Sequence, residues 1–204
     1  MSMGVRTMRT GSASRETKET SVSAQIHIEG TGKAEVQTGI GFLDHMLEQL
    51  ARHSLMDITV HAKGDLHIDP HHTTEDVGIV LGLALRDALG DMKGITRYGR
   101  AIIPMDECLS ECYVDVCDRP YLVFKVEFTK EKLGDLDTEM FREFYYAFAQ
   151  HAGLTLHVLN RYGVNNHHIA ESGFKALARA LREATRMDPR NEGRLVSTKE
   201  HMGA

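Results

Sequence analysis

The chain has no tryptophan, four prolines and three cysteines in 204 residues, and aromatic residues make up 6%. Each scarcity excludes something. The cysteines, Cys108, Cys112 and Cys117, are odd in number and form no C-x-x-C pair. They alternate within a strand-like stretch, so buried reduced thiols are expected rather than disulfides or a zinc cluster. No run of 18 apolar residues occurs, so no membrane span is expected. The first residues lack the apolar core of a secretory signal, so a cytoplasmic address is expected. Basic residues are not in excess: 24 Lys and Arg against 29 Asp and Glu give a net charge of −5, which argues against non-specific nucleic-acid binding as the main task. What remains is a globular composition, 42% hydrophobic and 26% charged, long enough to bury a core.

The abundant residue is histidine, with 12 copies. Its arrangement matters more than its number, because the chain repeats itself. His71-His72-x-x-Glu75 and the helix-like segment after it lie over His167-His168-x-x-Glu171 at an offset of 96, with eight of eighteen positions identical. Upstream, residues 43–53 lie over residues 141–151 at an offset of 98. Each half reads as extended segments (residues 20–28 with 34–36, or 111–128), an amphipathic helix, a short strand (56–62 or 154–159) and a second helix opened by H-H-x-x-E. Gly90 and Pro189 supply stop signals. The expectation is an α+β fold of two duplicated β-β-α-β-α halves, residues 15–95 and 96–190, with helices on one face of mixed sheets. Residues 1–14 and 191–204 are polar ends, expected to be mobile or ordered by a ligand.

The motif has a chemical meaning. Residues four apart share a helix face, so His71 and Glu75 can grip one ion, as can His167 and Glu171. His72 and His168 are turned about 100° away and aim at another neighbour. The first long helix of each half adds His45 in one case and Glu143 at the matching place in the other. The candidate ligands are therefore His45, His71, His72, Glu75, Glu143, His167, His168 and Glu171. Nitrogen with some carboxylate suits Mn, Fe, Co, Ni or Zn rather than Ca or Mg, and the lack of thiolate argues against a structural zinc knot. A dinuclear metallohydrolase and a metal-storage protein would use the same ligands, so both stay open at this level.

The ordered set Arg15-Glu-Thr-Lys-Glu19-Thr20, Gly41-Phe42-Leu43-Asp44-His45, Asp69-Pro-His71-His72-Thr-Thr-Glu75, Asp118-Arg119-Pro120, Asn166-His167-His168-x-x-Glu171 and Ser197-Thr198-Lys199 resembles the imidazoleglycerol-phosphate dehydratase family over nearly the whole chain. The resemblance implies halves like the second domain of ribosomal protein S5. It implies two Mn²⁺ ions per active site and a 24-subunit assembly with sites between subunits. The reaction implied is dehydration of D-erythro-imidazole-glycerol phosphate to imidazole-acetol phosphate, with the metals holding the substrate ring as imidazolate. It assigns Glu19 and Glu171 as acid/base candidates, and His53, Arg97, Arg119, Lys175, Ser197 and Lys199 to substrate and phosphate. Taken singly, Arg97, Arg119, Glu19 and the Ser-Thr-Lys tail would read as ordinary surface polarity. One departure stands out: members often carry His where this chain has Glu143. Glu143 itself as a harder ligand, His151, or a water are the alternatives for that place.

Overall fold

The computed structural model describes residues 8–203. The duplication is visible as two sheets of identical topology. In the first half, β1 (Thr10–Glu16), β2 (Thr20–His27), β3 (Ala34–Gln37) and β4 (Asp57–Gly64) assemble in the order β1-β2-β4-β3. In the second, β5 (Tyr98–Met105), β6 (Cys108–Val116), β7 (Tyr121–Lys125) and β10 (Leu154–Tyr162) assemble as β5-β6-β10-β7. In both, the last strand of the half pairs antiparallel with one neighbour and parallel with the other. The second half adds a small hairpin, β8 (Lys132–Leu133) with β9 (Leu136–Asp137). A single 3-10 turn follows at Pro189–Asn191.

Among the described residues four helices complete the fold: α1 (Gly41–Ser54), α2 (His71–Leu89), α3 (Met140–Ala152) and α4 (Asn166–Thr185). The apolar spacing read from the sequence becomes their buried stripes, Leu43, Met46, Leu47 and Leu50 on α1, and Phe141, Phe144, Tyr145 and Phe148 on α3. The second helix of each half is buried more nearly all round, because it is packed both by its own sheet and by a helix of the other half. The pairing is crosswise. α1 lies on α4, and α2 lies on α3, so the two halves interlock through their helices. Among the described residues no helix is long and apolar enough to cross a membrane, and Cys108, Cys112 and Cys117 are free and buried.

Each half opens with a strand that the hydrophobic pattern did not announce. β1 (TGSASRE) and β5 (YGRAIIPM) are edge strands that bury few side chains, so they lack the apolar alternation of a strand packed along its length. The expected mobile segment over residues 1–14 overlaps β1, whose Thr10 to Ser14 pair with His27 to Ser23. Residues 1–7 lie outside the described residues.

Both edge strands are clasped to a helix in the same way. A β-carbon on Gly11 would land on the Ala84 carbonyl and the Ala88 amide of α2, and one on Gly99 on the Ala180 carbonyl and the Ala184 amide of α4. The next residue then donates its backbone N–H to a helix carboxylate: Ser12 to Asp87 (3.0 Å) and Arg100 to Glu183 (2.8 Å). Glycine permits the close approach, and the carboxylate satisfies an edge N–H that has no strand partner.

Candidate metal centre and substrate groups

The crosswise helix pairing brings ligands together from opposite halves. His45 on α1 meets His167 and Glu171 on α4, one donor atom from each lying within 4.8 Å of the others. Glu171 Oε2 is 2.8 Å from His167 Nε2 and 3.3 Å from His45 Nε2. Donors held about 2.1 Å from one octahedral ion stand roughly 3 Å apart, so the trio has the spacing that an ion needs. Phe42 sets the rings in place: its own ring meets His167 edge-on at 5.2 Å and His45 at 6.3 Å, and it rests on Phe141.

Glu171 is the buried member, its side chain 9% exposed. Burial pushes its carboxyl up, but Lys175 at 2.6 Å, His167 and His45 outweigh this and hold it at about 2. A carboxylate so held is ionised near neutrality, the form that can ligate a cation and has no proton to give. The folded value lies below the ordinary 4.5, so the stabilisation is complete above about pH 4.5 and is lost as pH falls toward 2. In metal-free acid unfolding, wild type and Glu171→Gln should differ most above pH 4.5. Their difference should shrink below it, as read by circular dichroism.

The second histidine of each motif points elsewhere, as the helical geometry requires. His72 Nδ1 is 3.0 Å from Asp65 and 3.8 Å from Glu19; the Asp65 bond raises the His72 pKa and lowers that of Asp65. His168 Nδ1 is 2.7 Å from Glu107, whose carboxyl is held at about 2 by the Asn165 N–H, His168 and the Val164 N–H. Asp65 and Glu107 were not singled out from the sequence. Glu107 had no local signal, because its equivalence to Glu19, 88 residues earlier at the same turn position, shows only in the strand register.

The other half-set is less convergent. His71, Glu75 and Glu143 lie on the α2–α3 pair, but no second trio closes among the described residues, and Glu143 pairs with Arg142. His151 stands apart from Glu143 on the same helix. It lies eight residues along α3, about 12 Å away, with its Nδ1 on the Ala147 carbonyl.

The groups expected at substrate fall into two places. His53 lies beside α4, where burial, then Lys175 and Arg179, lower its pKa. Arg97 is instead at the far end of α4, its N–H bonded to the Ala184 carbonyl. Its guanidinium grips Asp115 (2.7 Å) and the Val196 carbonyl, which anchors the tail carrying Ser197 and Lys199. The tail continues to Gly203, whose N–H reaches the Cys117 carbonyl, close in sequence to the exposed Arg119. From Glu171 to Ala184 is about 20 Å along the helix. Glu19 stands on the turn between β1 and β2 with a side chain 56% exposed.

Two imidazoles and a carboxylate converging on a duplicated α+β frame form a donor set that could hold a metal ion. The family model for imidazoleglycerol-phosphate dehydratase matches residues 38–181. The imidazoleglycerol-phosphate dehydratase of Methylorubrum extorquens is 59% identical over 192 residues, 94% of this chain and 98% of that protein. Two solved structures are similar, each with a TM-score of 0.80. The imidazoleglycerol-phosphate dehydratase of Staphylococcus aureus is 38% identical over 88% of this chain and 99% of that one. IGPD from Pyrococcus furiosus is 37% identical over 93% and 99%. The chain belongs to the imidazoleglycerol-phosphate dehydratase family, hydro-lyases of histidine biosynthesis.

Proposed function

We propose that the chain dehydrates D-erythro-imidazole-glycerol phosphate to imidazole-acetol phosphate at a site holding two Mn²⁺ ions, and that each site is completed by more than one subunit. The His45–His167–Glu171 trio carries this reading, since its nitrogen-rich donors and spacing fit an ion. One ion would be held by His45, His167 and Glu171, with His72 supplied by a neighbour. The other would be held by His71, Glu75 and Glu143, with a neighbour's His168. Bound metal supplies Lewis acidity that draws the substrate ring toward its imidazolate form, giving an otherwise unactivated hydroxyl an electron source for its departure.

The chain's own residues do the rest. Glu171, held ionised by Lys175, serves as ligand, which leaves Glu19 as the acid/base group. Its exposed place on a hairpin turn lets it reach a substrate held by another subunit, taking the proton from the carbon next to the departing hydroxyl. The resulting enol becomes the ketone. Lys175 and His53 from one chain, with Arg97, Arg119, Ser197 and Lys199 from another, bind the phosphate.

Two observations favour shared sites. The roughly 20 Å between Glu171 and the Arg97 end of α4 exceeds what a five-membered ring on a phosphorylated three-carbon chain can span. The loops entering both motifs also expose apolar side chains at equivalent positions, Ile68 (63%) and Val164 (80%), as an interface requires. The test supplies Mn²⁺ and imidazole-glycerol phosphate to chelator-stripped protein. Expected are a product lighter by one water, and assembly to a large homo-oligomer, 24 subunits by light scattering. Release of inorganic phosphate instead would point to a hydrolase, and turnover by a monomer would remove the shared-site reading.

A further inference from the structure

Register between the two halves makes Glu19 and Glu107 counterparts. Glu16 pairs with Ser21 across the first hairpin and Pro104 with Leu109 across the second, so both glutamates stand at the same place in their turns. The neighbouring residue keeps the equivalence too, Thr20 bonding Asp76 of α2 and Cys108 contacting Ser172 of α4. Yet the two carboxylates are held differently. The Glu19 carboxylate accepts no N–H among the described residues, and its closest cation candidate, His72 Nδ1, is 3.8 Å away because Asp65 occupies that nitrogen at 3.0 Å. Glu107 is engaged at both oxygens. Oε1 accepts the Asn165 N–H (2.7 Å) and the Val164 N–H (3.1 Å), and Oε2 faces His168 Nδ1 (2.7 Å).

We infer that Glu107 is a positioning residue, which orients His168 and keeps its proton on Nδ1 so that Nε2 presents a lone pair to the metal. This rests on the proposed role of His168 as a ligand. A carboxylate bonded in this way only accepts, so a neutral His168 beside it carries hydrogen on Nδ1. The Asn165 amide nitrogen, 3.5 Å from Nε2, is a donor and agrees with a lone pair there. The same carboxylate closes the turn into α4 by taking the N–H groups of Val164 and Asn165, while the Asn165 side chain caps the helix by accepting from His167 N–H. Ring orientation and loop position are thus set by one group. On the other motif Asp65 takes over this task for His72, which releases the first-half glutamate for proton transfer.

The neutral amide makes a selective probe. In Glu107→Gln the side-chain oxygen can still accept the two backbone N–H groups, but an amide nitrogen then faces Nδ1. It donates to that nitrogen and shifts the ring proton to Nε2, the atom meant for the metal. Loss of such an orienting partner typically weakens metal binding about 10- to 100-fold. Mn²⁺ titration of chelator-stripped full-length protein, followed by the electron paramagnetic resonance of free Mn²⁺, gives the readout. Wild type, Glu107→Gln, His168→Ala and the double variant are compared, with thermal melting of the metal-free chains alongside. Expected is weakening of that order for Glu107→Gln, with a metal-free melting temperature little changed and a double variant no weaker than His168→Ala alone. Wild-type binding by Glu107→Gln, when His168→Ala is impaired, overturns the positioning role and leaves the ligand role standing. So does a double variant weaker than His168→Ala by the full Glu107→Gln factor. Wild-type binding by His168→Ala overturns the ligand role and the positioning role together.

Discussion

His167→Ala is expected to lower kcat for dehydration about 10³-fold, equivalent to roughly 4 kcal/mol of lost transition-state stabilisation, while leaving the metal-free fold intact. His167 is the better target within the trio. Its side chain is 44% exposed, so truncation opens no buried cavity. Removing Glu171 would instead strand the Lys175 ammonium, whose side chain is 20% exposed and which pairs with Glu171 at 2.6 Å; that cost to stability would blur the kinetic result. Steady-state rates at saturating Mn²⁺, with bound manganese counted per chain, check the outcome. A variant that keeps its full manganese content and its rate would remove the trio from the mechanism.

The largest stability effects are expected at the two glycine clasps. Gly99→Ala places a methyl group against the Ala180 carbonyl and the Ala184 amide, and Gly11→Ala does the same at Ala84 and Ala88. Backbone on both sides cannot yield as a side-chain tip can, so each substitution must push an edge strand off its helix. A cost of about 3 kcal/mol is expected for each, at the upper end for overpacking, which for a chain of this size lowers Tm by roughly 10 °C. Gly193→Ala is the comparison. It has φ of 69° but open space around it, so only the left-handed backbone is penalised, at about 1 kcal/mol. Denaturant melts of the three variants separate crowding from backbone conformation. Equal losses at all three would discard the clasp.

How far the sequence foretold this depends on what each residue packs against. The helices were legible because Leu43, Met46, Leu47 and Leu50, and the matching aromatics of α3, each face a core. The H-H-x-x-E helices were legible down to their ends at Leu89 and Thr185. β1 and β5 were not, since an edge strand clasped through a glycine shows neither alternation nor a run. That omission hid Glu107, whose equivalence to Glu19 follows only from hairpin register. The proximity of His45 to Glu171 was also hidden, for it depends on which helix of one half lies on which of the other, and no local pattern encodes that choice.

The crosswise pairing of helices has a consequence for ancestry. His45 belongs to one half, and His167 and Glu171 to the other, so a single half folded alone holds no complete trio. An ancestor of half this length would have brought such a trio together only between two copies of itself, with identical residues on both sides. Joining the copies in one chain released them from that identity. The twin positions could then differ, as His45 and Glu143 do, and one turn glutamate could stand exposed at its hairpin while its twin was tied into a loop.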